Sequence, residues 1–221
     1  MKIFAGTSGS VQADDAAAPV AAPDAMIFIS TPLKDAFIID VERHGDERGF
    51  LARTFCETEF ARHGLPMHIA QSSTIHSPRR HTLRGLHYQR APHAEVKLVR
   101  CTRGSIFLVM VDLRTNSFTR HEWLGVELSA RSERLVYVPE GFAQGYQTLE
   151  DDTEVLYQMS HRYVPDAAQG VRWDDPVLQI EWPAASRQLI SERDRAWPDL
   201  PSLEERRPTA SRRSAARLTI P

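Results

Sequence analysis

The chain has 221 residues, 42% of them hydrophobic, and a formal net charge of −2. That length suits one domain with flanking tails and enough apolar side chains for a sizeable core. The small charge excludes bulk nucleic-acid binding and a polybasic membrane surface, so an anionic ligand has to be caught by local basic residues.

In chain order, residues 1–5 carry one basic residue and run straight into glycine and serine, with no apolar run of signal-peptide length. Residues 6–24 are rich in Ala, Gly, Ser, Asp and Pro and hold no aromatic residue, which predicts a disordered N-terminal extension over residues 1–25. Met26 opens the strand-like MIFIS, either as the true start or after a genuine extension. Residues 57–63 are expected to form a short helix. Near-continuous or alternating apolar runs predict strands over 105–112, 123–128, 134–138 and 154–159. The last of these alternates with period two, placing Val155, Tyr157 and Met159 on one face and Glu154, Leu156 and Gln158 on the other. Turn signals separate the runs: Arg103-Gly104, Thr115-Asn116-Ser117, Pro139-Glu140-Gly141 and Glu150-Asp151-Asp152. Many short strands with regular turns define an all-β sandwich or barrel. A second short helix is expected near 191–197, and residues 202–221 are read as a solvated, flexible C-terminal tail. The folded unit is therefore assigned to residues 26–201. No apolar segment is long enough to span a bilayer. Cys56 and Cys101 stand outside any CxxC pair and are read as reduced thiols. A soluble cytoplasmic protein is the expectation.

The densest polar stretch runs from Arg79 to Arg90. Read as a regular strand, it points Arg84, Leu86 and Tyr88 one way and Leu83, Gly85, His87 and Gln89 the other. A bulge at Gly85 would bring Arg84 and His87 to one cavity; a solvated basic strand is the plainer alternative. A metal-binding barrel of this kind supplies a His-x-His pair, a nearby Glu and a later His after a Pro-x-Gly turn. Here the pair reads His87-Tyr88-Gln89 and the later position is Gln144, so two imidazoles are replaced by amides, which are poor ligands for first-row metals. His87, His93 and Glu95 keep a metal site among the alternatives. Without metal, His87 is a candidate base, Asp194 a carboxylate able to orient it, and Tyr157 an acid or simply a packed tyrosine.

Gly45-Asp46-Glu47-Arg48-Gly49-Phe50, then Thr82-Leu83-Arg84-Gly85-Leu86-His87-Tyr88-Gln89, then Lys97-Leu98-Val99-Arg100-Cys101, Val138-Pro139-Glu140-Gly141-Phe142-Ala143 and Trp173-Asp174-Asp175-Pro176 follow one another over about residues 37–198. In this order and spacing the chain resembles the dTDP-4-dehydrorhamnose 3,5-epimerases. The resemblance implies a cupin-type double-stranded β-helix, a jelly-roll barrel with a few short helices. It implies a homodimer whose N-terminal strands cross between subunits, and neither metal nor organic cofactor. The substrate would be a nucleotide-diphosphate sugar of the 4-keto-6-deoxy type, epimerised at C3, at C5 or at both for deoxysugar and polysaccharide synthesis. His87 matches the family's catalytic base, Asp194 its carboxylate partner and Tyr157 its acid. Arg84 and Lys97 match cavity cations, and Arg48, Phe50 and Gln71 match positions that help hold the nucleotide.

Three departures bear on specificity. Gln144 stands where the family usually carries a histidine, and an amide cannot titrate. Arg53 stands where a glutamate near the nucleotide is common. Residues 72–76 replace a more usual Asp-Asn-His pattern. Two other functions remain open on the sequence: a sugar-nucleotide ketoisomerase working through a similar enolate, and a non-catalytic or metal-dependent cupin.

Overall fold

The computed structural model describes residues 26–200 and the backbone of 216–218. The expected extension over 1–25 and most of the expected tail over 202–221 lie outside the described residues. Fifteen strands follow in chain order: β1 Met26–Ser30, β2 Phe37–Val41, β3 Arg43–Asp46, β4 Gly49–Ala52, β5 Gln71–Ser77, β6 Thr82–Gln89, β7 Lys97–Arg103, β8 Ser105–Asp112, β9 Trp123–Ser129, β10 Leu135–Val138, β11 Phe142–Thr148, β12 Thr153–Met159, β13 Ala168–Gly170, β14 Leu189–Ile190 and β15 Ala216–Leu218. Two short helices, α1 Glu57–Arg62 and α2 Glu192–Arg195, complete the elements used below.

The strands form two main sheets. One has six strands in the order β1-β2-β10-β7-β12-β5; the other runs β13-β6-β11-β8-β9-β15, with β14 added beside β6. Non-consecutive neighbours in both sheets are the signature of a jelly roll rather than of a meander. The cupin-type all-β fold expected from the sequence is the fold observed. At the C-terminal end, the backbone of β15 runs parallel to β9.

Strand β8 shows why the sequence folds this way. It lies between β11 and β9, and both of its faces are covered. Ile106, Leu108 and Met110 enter the core between the sheets with Val99, Leu124, Val126 and Val136. Phe107, Val109 and Val111 enter a second core with Leu86, Trp123, Val171 and Leu178. A strand buried on both faces reads as a continuous apolar run, and this one does. A third cluster seats α1 on the six-stranded sheet, with fully buried Phe60 against Met26, Ile39, Leu98 and Tyr137. A six-residue helix has little stability of its own. Burial of Phe60, worth about 3 kcal/mol, holds it in place.

The β3–β4 hairpin pairs only with itself among the strands. Every residue of β3 is exposed, and Phe50 and Leu51 on β4 are 53% and 74% exposed.

Candidate active site

A cavity of about 200 Å³ opens between the sheets. Arg84 and His87 of β6 and Gln144 and Tyr146 of β11 line one side. Lys97 and Val99 of β7 and Val155, Tyr157 and Met159 of β12 line the other. The period-two reading of β12 therefore holds: its apolar face with Tyr157 is the cavity face.

Arg84 and His87 are three residues apart, so a regular strand would point them to opposite faces. The ladder between β6 and β11 pairs His87 with Gln144 and Arg84 with Tyr146, so two residues of β6, Gly85 and Leu86, oppose the single Gly145. The extra residue reverses the alternation, as the sequence suggested. Gly85 has φ +125°, and a Cβ there would lie 2.5 Å from the Gly145 Cα, so only glycine fits.

Asp194 reaches His87 by a separate device. Strand β14 pairs in parallel with the start of β6, Leu189 beside Thr82 and Ile190 beside Leu83. The chain then turns into α2, where the Ser191 hydroxyl caps the helix by accepting the Asp194 N–H at 3.1 Å. This brings Asp194 Oδ1 to 2.6 Å from His87 Nε2 across 107 residues of chain. The second oxygen, Oδ2, accepts the Gly85 N–H at 3.2 Å, and Trp197 Nε1 makes a long 3.4 Å bond to Oδ1. Burial by itself would raise the Asp194 pKa. The bond and charge of His87, then the Gly85 and Trp197 donors, outweigh it and hold the carboxyl below its usual range. An ionised Asp194 takes a proton-bearing Nε2, so in the neutral ring Nδ1 carries the lone pair.

Lys97 is buried together with its counter-ion. Its ammonium donates to Glu95 Oε1 and to the His87 carbonyl, both at 3.0 Å. Arg84 Nε donates to the Ser77 hydroxyl at 3.3 Å. The Tyr146 phenol is buried and its pKa is pushed up to about 12, chiefly by desolvation. The Arg84 charge, and after it Ser77, offset part of that rise, yet the hydroxyl has no partner in hydrogen-bond geometry among the described residues.

Of the residues singled out in the sequence, His87, Asp194, Tyr157, Arg84 and Lys97 converge on this cavity. Arg48 and Phe50 do not: both sit on or beside the exposed hairpin, with Arg48 paired to Asp46 and Arg43 over the Phe50 ring at 4.8 Å. Gln71 stands one step back, its amide oxygen accepting the N–H of Tyr163, a cavity residue, at 2.9 Å. Arg53 pairs with the buried Glu59 of α1. Glu95, Tyr146 and Arg193 also line the cavity without having been assigned to it. Tyr146 was within reach of the sequence, two positions along β11 from Gln144 and hence on the same face. Glu95 was visible only as a metal-ligand alternative. Among the described residues, no group of three or more His, Cys, Asp and Glu side chains is arranged to hold a metal ion, and no helix is long and apolar enough to cross a membrane.

Fold and cavity together define a class: cupin-type barrels whose cavity carries an imidazole on one sheet and a phenol on the other. Comparison with known proteins narrows it. The family model described as dTDP-4-dehydrorhamnose 3,5-epimerase matches residues 30–202. The dTDP-4-dehydrorhamnose 3,5-epimerase of Methanothermobacter thermautotrophicus is 45% identical over 175 residues, 78% of this chain and 94% of that protein. The structure of the Bacillus anthracis dTDP-4-dehydrorhamnose 3,5-epimerase, with TDP and PPi bound, superimposes with a TM-score of 0.77 at 38% identity, covering 80% of this chain and 100% of that one. The dTDP-6-deoxy-D-glucose-3,5-epimerase of Legionella pneumophila, in complex with dTDP-4-keto-L-rhamnose, gives a TM-score of 0.74 at 33% identity over 78% and 91% of the two chains. The chain belongs to the dTDP-4-dehydrorhamnose 3,5-epimerase family, enzymes of the isomerase class.

Proposed function

We propose that this enzyme inverts C3 and C5 of a dTDP-linked 4-keto-6-deoxy hexose, with His87 as base and Tyr157 as acid. The observation that carries the reading is the 2.6 Å His87–Asp194 bond inside a cavity that Tyr157 lines from the opposite sheet. The C4 ketone acidifies the hydrogens on both neighbouring carbons. His87 Nδ1 takes one of them, and the carbon–hydrogen pair moves into an enolate. Asp194 holds the ring and stabilises the imidazolium. Lys97 and Arg84 stabilise the enolate oxygen by fixed positive charge. Tyr157 then returns a proton to the other face of the carbon, which inverts it. Only protons move and no electrons are gained or lost overall, so the reaction needs no redox cofactor. Gln144, opposite His87 on β11, can hydrogen-bond the sugar but cannot relay a proton.

The nucleotide diphosphate supplies the binding energy that positions the sugar. In this reading the enzyme is a homodimer. The β3–β4 hairpin, exposed and unpaired with either sheet within its own chain, carries Arg48 and Phe50 to the nucleotide end of the partner's cavity. Gln71 steadies the Tyr163 segment at the same end. The catalytic unit is residues 26–201, and with both cysteines unbridged it works in the cytoplasm.

The test is proton NMR of the reaction with dTDP-4-keto-6-deoxyglucose in heavy water. Deuterium at C3 and C5 with both centres inverted is the expected result. A ketone moved to C3 would identify a ketoisomerase instead, and activity that vanished with chelator and returned with one divalent metal would overturn the side-chain mechanism.

A further inference from the structure

Among the described residues, four buried side-chain nitrogen or oxygen atoms lack a hydrogen-bond partner: Glu95 Oε2, Arg100 Nε, Arg120 Nε and the Tyr146 hydroxyl. Two of the four, on Glu95 and Tyr146, belong to residues that line the active cavity. The Glu95 side chain is only 2% exposed. Its Oε1 is explained by the Lys97 ammonium at 3.0 Å; its Oε2 has no partner among the described residues. A buried carboxylate oxygen without a donor is costly, and such groups in folded proteins have a partner that completes them.

We infer that Glu95 is a substrate-reading residue whose Oε2 accepts a hydrogen bond from a ring hydroxyl of the sugar. The inference rests on the epimerase reading above and names the group that recognises the sugar within it. Three features on the page select this ligand chemistry. An ionised carboxylate only accepts, so its partner must donate. A ketone cannot donate, and a diphosphate, being anionic, is repelled. The ring hydroxyls at C2 and C3 are the donors a 4-keto-6-deoxy hexose offers. Moreover, Oε1 and Oε2 share one carbon, so a hydroxyl held by Oε2 lies beside the Lys97 ammonium. Glu95 thereby ties the position of the sugar to that of the cation that stabilises the enolate. A counter-ion for Lys97 alone would account for one carboxylate oxygen and leave the other orphaned.

The experiment compares three substrates, dTDP-4-keto-6-deoxyglucose and its 2-deoxy and 3-deoxy analogues, with wild type, Glu95→Gln and Glu95→Ala. The readout is kcat/KM for deuterium entry at C5, a position all three sugars keep. Wild type should lose roughly 10–100-fold with one of the two deoxy analogues, the scale of a hydrogen bond to a charged group. That preference should shrink in Glu95→Gln, which keeps an oxygen for Lys97 but no charge, and disappear in Glu95→Ala. A merely structural role would slow all three sugars by one factor and leave the preference intact. Thermal unfolding identifies an Ala variant that does not fold, in which case the Gln variant decides. Equal rates on all three sugars in wild type, or an unchanged preference in the variants, would overturn the role of Glu95 while leaving the epimerase reading standing. No deuterium at C5 of the parent sugar would sink both.

Discussion

Asp112 and Glu95 are both buried carboxylates, and each is paired with a cation two residues further along the chain. Asp112 sits at the end of β8 with 0% exposure. Its Oδ1 accepts the backbone N–H and Nε of Arg114, both at 3.0 Å. Its Oδ2 accepts Arg114 Nη2 at 2.8 Å and the hydroxyls of Ser117 and Thr119 at 2.5 and 2.7 Å. Glu95 gives one oxygen to Lys97, and its other oxygen has no partner among the described residues. In Asp112 the chain satisfies the carboxylate completely, and the result is a rigid corner between β8 and the loop that follows. In the cavity the chain stops short. Asp194 stands between the two: its oxygens are bonded, but one bond goes to His87, whose ring is 43% exposed and free to work. A buried charge that is saturated by its own chain serves the fold, and one that is incompletely met is available to a ligand.

This contrast predicts a double dissociation. The largest effect is expected at the cavity: His87→Asn should lower kcat by roughly 10²–10⁴, the scale of a general base, with the unfolding temperature nearly unchanged. Asp194→Asn should come close behind, because it removes both the charge and the acceptor that orient the ring. Wild-type turnover in that variant would show that the 2.6 Å bond has no part in the chemistry. Tyr157→Phe should still wash deuterium into C3 but with retention, since His87 can return an exchanged proton to the face it left. Normal inversion would make Tyr157 a packing residue.

The opposite pattern is expected at the corner. Asp112→Asn should cost about 3 kcal/mol of stability, a fall of roughly 6–12 °C in Tm for a domain of this size, with kcat/KM of the folded enzyme intact. Lost turnover at full stability would break the comparison. The smallest effect is an acid one. Both Asp112 and Asp194 are opposed by burial, yet their hydrogen bonds hold them below the ordinary carboxyl value of 3.8. Above that value both folded and unfolded chains are ionised, and the stabilisation is fully present. As pH falls below it the unfolded chain binds protons first, and stability drops until pH passes the folded values. Asp112→Asn should flatten that slope in acid titrations followed by circular dichroism.

Local sequence determined much of this molecule. Apolar periodicity marked β8, β9, β10 and β12 nearly to their ends, because strands covered on one or both faces must alternate or run apolar. The second helix, expected near 191–197, forms as α2, capped by Ser191. The motif order pointed to the family, and the Gly85 bulge was legible because Arg84 and His87 cannot share a cavity without it. Tertiary structure alone decided the rest. Nothing near Asp194 in the chain says that β14 will lie parallel to β6 and carry it to His87; that depends on pairing across more than a hundred residues. Arg48 and Phe50 belong to the same motif set as His87, yet they sit exposed at the β3–β4 hairpin, outside the lining of the cavity of their own chain. The open oxygen of Glu95 is likewise invisible in sequence. Whether a carboxylate is saturated depends on which donors the surrounding strands bring within 3 Å of it, and those donors come from distant parts of the chain.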